Sequence, residues 1–312
     1  GVFAEQVKYA QDVLAGDHED DTYFGLYYAL DPEDDWTNPE TWIKANPNLG
    51  VSVITKDMEA RCAQAKRNPA SQASFLTKRC NIRVGAGDAF FNMLSWREVC
   101  RDESLKIEDF YGEPCIITLD LASKWDLASK IAVFNRGADF YAFHRSYLPE
   151  DSTEAGKPNY DRYVGWVRSG KLTATPGNIT DYEFIERDLL EDMRNFSVVQ
   201  VGYDPYQATQ LATRMMAEGL PMVEMGATVR NFSEPMKAVG ALILSGRIHH
   251  NGDPVLSWAM GNVVAKIDAK ENVYPRKARE ENKIDPAVAL IANMSLQLRQ
   301  GAIEEEFRVV AV

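Results

Sequence analysis

The most constraining feature of this chain is the run Cys115–Leu121, CIITLDL, an almost unbroken apolar stretch that carries Asp120 near its end. A short run of this kind reads as a strand buried on both faces. Ile131–Asn135 and Phe140–Tyr147 follow as two more strand-like segments, joined by a tight turn at Arg136–Gly137. Loops this short favour antiparallel pairing, because a parallel connection needs a crossover. Thr180 opens a helix, with Glu183 at the spacing of a capping-box partner. Val198–Tyr203 is a second buried-type strand, and it runs directly into Asp204. A helix over Gln207–Ala217, a short strand at Met222–Met225, helices over Glu234–Leu244 and Val255–Ala265, a strand at Asn272–Tyr274 and a helix from Pro286 to about Leu298 complete the series. Three antiparallel strands, then helix, strand, helix, strand and further helices define an α/β chain: a mixed sheet flanked by helices.

Upstream of about residue 108 the texture is different. Phe3, Val7, Ala10 and Leu14 have helical spacing, and Thr22–Leu30 reads as a strand. Asp31–Asn48 is a loop rich in Asp, Asn, Pro and Trp, with a short helix starting at Asn38–Pro39. A helix is expected over Thr55–Arg67, capped by Thr55. Asn68–Asn81 reads as irregular and Trp96–Arg101 as helical. The chain therefore divides into a smaller irregular and helical segment, 1–107, and an α/β domain, 108–312.

The formal charge of −12 argues at first against a nucleic-acid partner. Its distribution reverses that argument. Residues 1–60 hold 13 acids and 3 bases, so the remaining residues are close to balance and can present a local basic face. No stretch approaches the roughly eighteen apolar residues of a membrane span, and the opening GVFAEQVKYAQDV has no secretory pattern. Cys62, Cys80, Cys100 and Cys115 contain no CxxC pair, so free thiols are expected rather than a zinc ribbon.

Three aspartates stand out by position. Asp120 and Asp204 each lie at the carboxyl end of a strand, where ligands of α/β sheets gather. Asp285 opens the last helix, whose first turn can point at the same edge. Carboxylates gathered in this way repel one another, and bound divalent cations are the usual reason to tolerate it. Oxygen-only ligation suits Mg²⁺ or Mn²⁺, and two such ions can clamp a scissile phosphate. The plain alternative is helix capping: Asp204–Pro205 and Asp285–Pro286 both have the form of an N-cap followed by proline.

Asp126, in LDLASKWD, is a further acidic candidate beside Asp120. Arg276, Lys277, Arg279 and Lys283 form a basic cluster just ahead of Asp285, read either as a solvated loop or as contacts to backbone phosphate. Arg168 and Lys171 are additional basic candidates. Trp36 and Trp42 read as anchors of an irregular segment more than as base-stacking groups. His18, His144 and the pair His249–His250 lack metal-ligand spacing. GxSxG and GxxxxGK[ST] are both absent, so the chain has no phosphate-cradling loop of the Walker type.

Several segments together resemble the large terminase subunit of tailed bacteriophages: LDPEDDWTNPETWIKANPNLG at Leu30–Gly50, LDLASKWDLAS at Leu119–Ser129, GYDPYQA at Gly202–Ala208 and KIDPAVALI at Lys283–Ile291. The likeness covers nearly the whole chain, and its specificity comes from the agreement of separate motifs. It implies a ribonuclease H-like nuclease fold with Asp120, Asp204 and Asp285 as metal-binding carboxylates. Residues 1–107 then correspond to the trailing part of an ATPase region and a linker, and without Walker motifs no ATPase activity is expected from this chain alone. The implied activity is metal-dependent cutting of concatemeric double-stranded DNA during packaging, in the host cytoplasm. The implied partners are the portal protein, the small subunit and the ATPase part. Two other readings fit the same residues. One is a strand transferase or junction resolvase of the same fold, and the other is a non-enzymatic assembly module whose Asp-Pro pairs only cap helices.

Overall fold

The computed structural model describes residues 6–7, 9–10, 13–14, 20–31, 34–66, 69–82, 89–122, 126–268 and 272–310. They fall into two compact units, Gly1–Val84 and Gly85–Val312. The boundary expected near residue 108 thus lies inside the second unit. The reason is apolar: Phe90, Phe91, Met93, Trp96 and Cys100 are buried in the same core as strand and helix residues from beyond position 116.

In the first unit, two helices carry most of the core, α1 (Thr55–Ala65) and α2 (Pro69–Arg79). Met58, Cys62 and Ala65 line one face of α1 and pack with Phe75, Leu76 and Cys80 around Trp36 and Trp42. The tryptophans are anchors, as expected. Trp42 is almost fully buried, and its indole N–H donates to the Trp36 carbonyl at 2.9 Å. The short helix Pro39–Lys44 is capped by Asn38. Three expectations change. Residues 69–79 are helical rather than irregular, since Phe75 and Leu76 supply an apolar face and Pro69 suits a first turn. Thr55 is the first helical residue and not the cap. Thr22–Leu30 pairs with no strand among the described residues, because residue pattern alone cannot provide a partner. Of the helix expected over 3–15, the described residues are helical and the others lie outside the described residues.

The second unit is a mixed sheet between two layers of helix. Its strands are β1 (Pro114–Asp120), β2 (Ala128–Arg136), β3 (Asp139–Pro149), β4 (Thr173–Thr175), β5 (Ser197–Tyr203), β6 (Met222–Glu224) and β7 (Ile248–His250). The order is β4-β3-β2-β1-β5-β6, with β7 also on β3. The first three strands are antiparallel, as their short loops require, with Gly137 at φ +72° in the β2–β3 turn. β5 then joins β1 in parallel, and β6 joins β5. This is the mixed sheet flanked by helices that the element order predicts.

The helices are α3 (Met93–Glu98), α4 (Tyr160–Arg168), α5 (Tyr182–Asn195), α6 (Pro205–Ala217), α7 (Val229–Leu244), α8 (Pro254–Asn262) and α9 (Asp285–Val310). Strand alternation assigns the faces. Cys115, Ile117 and Leu119 pack with Ile185, Leu189, Leu211 and Met215 of α5 and α6. Ile116 points the other way, into the layer made by α7, α8 and α9. A separate hairpin, β8 (Val263–Ile267) with β9 (Val273–Lys277), lies beyond α8. Part of β8 was read in the sequence as the end of a helix. α4, β4 and β7 were not expected: the two strands are three residues each, and α4 is a helix of nine. Asp181, not Thr180, caps α5, its carboxylate accepting the Glu183 N–H.

Candidate active site

Helix α9 runs opposite to β1, and two buried hydrogen bonds hold it there. Asn293 Nδ2 donates to the Ile116 carbonyl at 2.8 Å, and Thr118 Oγ1 donates to the Ala289 carbonyl at 2.8 Å. One helical turn advances about as far as two strand residues. Stepping from Asn293 to Ala289 to Asp285 therefore follows Ile116 to Thr118 to Asp120, and Asp285 arrives at the carboxyl end of β1. Gly202 permits this close docking: a Cβ there would stand 2.7 Å from Leu296 Cδ1 and 3.0 Å from Thr118 Cγ2.

The parallel register of β1 and β5 does the rest. Leu119 pairs with Tyr203, so Asp120 and Asp204 leave the sheet side by side. The two line one small cleft with Gly202, Met225, Phe232 and Val288. The three aspartates singled out in the sequence thus share one sheet edge.

Their environments differ. Asp204 caps α6: Oδ1 accepts the Tyr206 N–H at 2.8 Å and Oδ2 accepts the Ala227 N–H at 3.2 Å. Asp285 has a buried carboxylate oxygen, Oδ2, with no hydrogen-bond partner. Burial, then the charges of Asp285, Asp204 and Asp126, push the Asp120 carboxyl well above the ordinary carboxylate range. Burial, then Asp126, pushes Asp285 up as well, against the pull of its own amide, Lys283 and Lys277. Burial also acts upward on Asp126, but Lys283 and Lys277 outweigh it and hold that carboxyl low. Their ammonium groups lie 2.7 and 3.2 Å from Asp126 Oδ1.

Two acids that resist ionisation for want of a partner, and one orphaned buried oxygen, are what a hard cation would satisfy. The oxygen donors present fit Mg²⁺ or Mn²⁺. Among the described residues, however, no three acidic, histidine or cysteine side chains are gathered into a finished metal cage.

The basic candidates divide. Lys277 and Lys283 face the acids through Asp126. Arg276 lies 5.8 Å from the Tyr274 ring and lines an open groove with Lys266, Asn272 and Ala227. Arg279 is exposed, 3.8 Å from Glu281. Arg168 ends α4 and Lys171 precedes β4; no hydrogen bond or ion pair among the described residues links either to the aspartates. All four cysteines are free and buried. His18 lies outside the described residues. His144 bonds Ser146, two residues on along β3, and Asp253, a relation the sequence hides because Asp253 is 109 positions away.

A mixed sheet in the order β4-β3-β2-β1-β5-β6, with acids collected at the ends of its two central parallel strands, places them where ligands of α/β sheets gather. Comparison with known proteins supplies the family. The family described as terminase large subunit, endonuclease domain, matches residues 17–300, and the chain belongs to that family. It is 39% identical over 292 residues to the protein YmfN of Escherichia coli strain K12, covering 90% of this chain and 64% of that one. It is 28% identical over 284 residues to the terminase large subunit of Enterobacteria phage HK97, covering 89% and 55%. The crystal structure of the HK97 large terminase superposes with a TM-score of 0.57 at 26% identity, covering 92% of this chain and 60% of that one. The chain therefore spans between about half and two thirds of these relatives. None of the helices among the described residues is long and apolar enough to cross a membrane.

Proposed function

We propose that this chain is a divalent-metal-dependent DNA endonuclease that cuts concatemeric double-stranded viral DNA during genome packaging. The observation that carries the proposal is the convergence of Asp120, Asp204 and Asp285 on one sheet edge, with Asp285 Oδ2 left unpartnered. A pair of Mg²⁺ or Mn²⁺ ions would activate water and steady the leaving oxygen. Asp120 and Asp285 would hold them, with Asp204 turning from its capping bonds toward the cleft and Asp126 as a further ligand once released by its lysines. Arg276 and Arg279, with Lys277 and Lys283, would meet the phosphate backbone, and Arg168 and Lys171 would extend that contact. Contacts of this kind read no sequence, so little base preference is expected.

The first unit, residues 1–84, would be the trailing part of the ATPase region and linker of a packaging motor. The motor's portal protein, small subunit and ATPase part would be partners in the host cytoplasm.

The test is nicking of supercoiled plasmid with Mg²⁺, Mn²⁺ and EDTA, run beside Asp120→Asn, Asp204→Asn and Asp285→Asn. Cation-dependent nicking by the natural chain and none by the variants is expected. Nicking that survives all three substitutions overturns the assignment. Joined rather than cut products would point to strand transfer.

A further inference from the structure

Behind Asp120, on the sheet face that α9 covers, runs a row of polar side chains that the proposed chemistry does not use. Ser129 stands directly opposite Asp120 in the antiparallel β1–β2 pair, and Ser146 directly opposite Ser129 in β2–β3. Residues so placed share a face, with Cβ atoms about 5 Å apart. The two serine hydroxyls meet at 2.9 Å. Ser146 Oγ lies 2.7 Å from His144 Nε2, and His144 Nδ1 lies 3.1 Å from Asp253 Oδ1. Asp253 is anchored in turn, its Oδ1 accepting the Leu256 N–H at the start of α8.

The chain is closed to solvent. Ser129 and Ser146 are both 0% exposed, and the His144 ring is equally shut off. A serine, a histidine and an aspartate in this order have the connectivity of a hydrolytic triad, but Ser146 has no surface on which a substrate can land. The arrangement therefore works inward. It gives each member a partner and so locks the serine rotamers across two strands, β2 and β3.

We infer that Asp253, His144, Ser146 and Ser129 form a fixed hydrogen-bond chain whose last member is the cross-strand neighbour of Asp120, and that by fixing the side chain beside it this chain positions the Asp120 carboxylate, making His144 and Ser129 positioning residues. The inference rests on the reading of Asp120 as a cation-holding group. Partners one shell behind a ligand commonly tune metal affinity, and their loss costs about tenfold or more. Here the strand register places Asp120, Ser129, Ser146 and His144 as cross-strand or same-strand neighbours, and Asp253 joins them from the cap of α8. Asp253 brings rigidity from α8, and the serines carry it under the sheet to β1.

The experiment is titration of the whole chain with Mn²⁺ by calorimetry, with thermal melts of each variant. Ser129→Ala removes only the link beside Asp120, Ser129→Thr restores a hydroxyl, and His144→Phe fills the same space without either hydrogen bond. About tenfold weaker Mn²⁺ binding is expected for Ser129→Ala and for His144→Phe, and no further loss when the two are combined, because they act as one chain. Near-natural affinity is expected for Ser129→Thr. If His144→Phe fails to fold, Ser129→Ala alone decides. Natural affinity in a folded Ser129→Ala protein overturns the chain's positioning role while leaving the cation site standing. If the natural protein binds no Mn²⁺, or binds it equally well as Asp120→Asn, the reading of the cation site falls, and this inference with it.

Discussion

The second unit carries two groups of buried acids on opposite faces of one sheet, and they have been treated in opposite ways. On the α5 face, Asp188 accepts from Tyr147 and Arg145, both at 2.6 Å, and Asp192 is paired with Lys130. On the α9 face, Asp120 responds to other acids, and Asp285 to Asp126, its own amide, Lys283 and Lys277. The consequence shows in their acidity. Burial pushes Asp188 up, but Tyr147 and Arg145 outweigh it and hold that carboxyl below its ordinary value. Asp120 and Asp285 are both pushed up: no cation offsets the rise at Asp120, and Lys283 and Lys277 offset it only in part at Asp285. A buried charge with a partner is part of the architecture; one without is a standing cost, kept where a ligand removes it.

Substitution should break the two groups differently. Asp120→Asn or Asp285→Asn should reduce plasmid nicking to background while the melting temperature does not fall, because neutral amides end the repulsion. A melting temperature that drops with activity would place these acids with the architectural group.

Lys130→Met should do the reverse. It strands Asp192 in the interior, at a cost of about 3 kcal/mol in urea unfolding. This is the low end of the range for broken buried pairs, because burial already raises the Asp192 carboxyl and lets it take a proton. Mn²⁺ affinity of the folded variant should be unchanged. Altered affinity would show that the two faces are coupled.

Gly202→Ala probes the packing that delivers Asp285. Its Cβ would collide with Leu296 and Thr118, lifting α9 from the sheet for roughly 1–3 kcal/mol. Mn²⁺ binding should weaken along with stability. A variant that loses stability yet binds Mn²⁺ normally would separate the helix docking from the site.

The smallest effect concerns a third buried group. His250 stacks on Trp96 at 4.0 Å, its Nε2–H donating to the Trp96 carbonyl and its Nδ1 accepting the Gly252 N–H. Both nitrogens are satisfied only in the neutral ring. Burial is the main cause that holds its pKa below 6.5; Arg101 and His249 act the same way, against Trp96 and Asp253. With a depressed value, the stabilisation is complete above pH 6.5 and is lost as pH falls through the folded pKa. His250→Gln should therefore melt with a flatter dependence on pH between about 7.5 and 5. An unchanged slope would assign the acid sensitivity elsewhere.

Much of the site was legible because its signals are local. Asp120 and Asp204 each end an apolar run, and Asp285 opens a long helical pattern. The Asp-Pro signature was ambiguous, and the structure shows why. Asp253–Pro254 and Asp204–Pro205 are true caps, whereas Asp285 keeps an oxygen free. The same dipeptide has two meanings, separated only by what lies across the cleft. Lys277 and Lys283 look like solvent-facing bases in the sequence, and their pairing with Asp126 depends on a loop returning some 150 residues later. His144 could not be connected to Asp253, since 109 positions separate them.

The sequence by itself determined the longer strands and helices of the sheet in their order, the antiparallel opening of the sheet and the three acids worth following. Hydrophobic period and turn length act within a few residues of each other, so a linear text records them. Tertiary structure alone decided that β5 lies beside β1, that α9 runs back along β1 to bring Asp285 to Asp120, and that residues 89–107 belong with the α/β core. Those outcomes depend on register, on a glycine where a helix must approach and on which buried charge meets a counter-charge. They are properties of distances between remote parts of the chain.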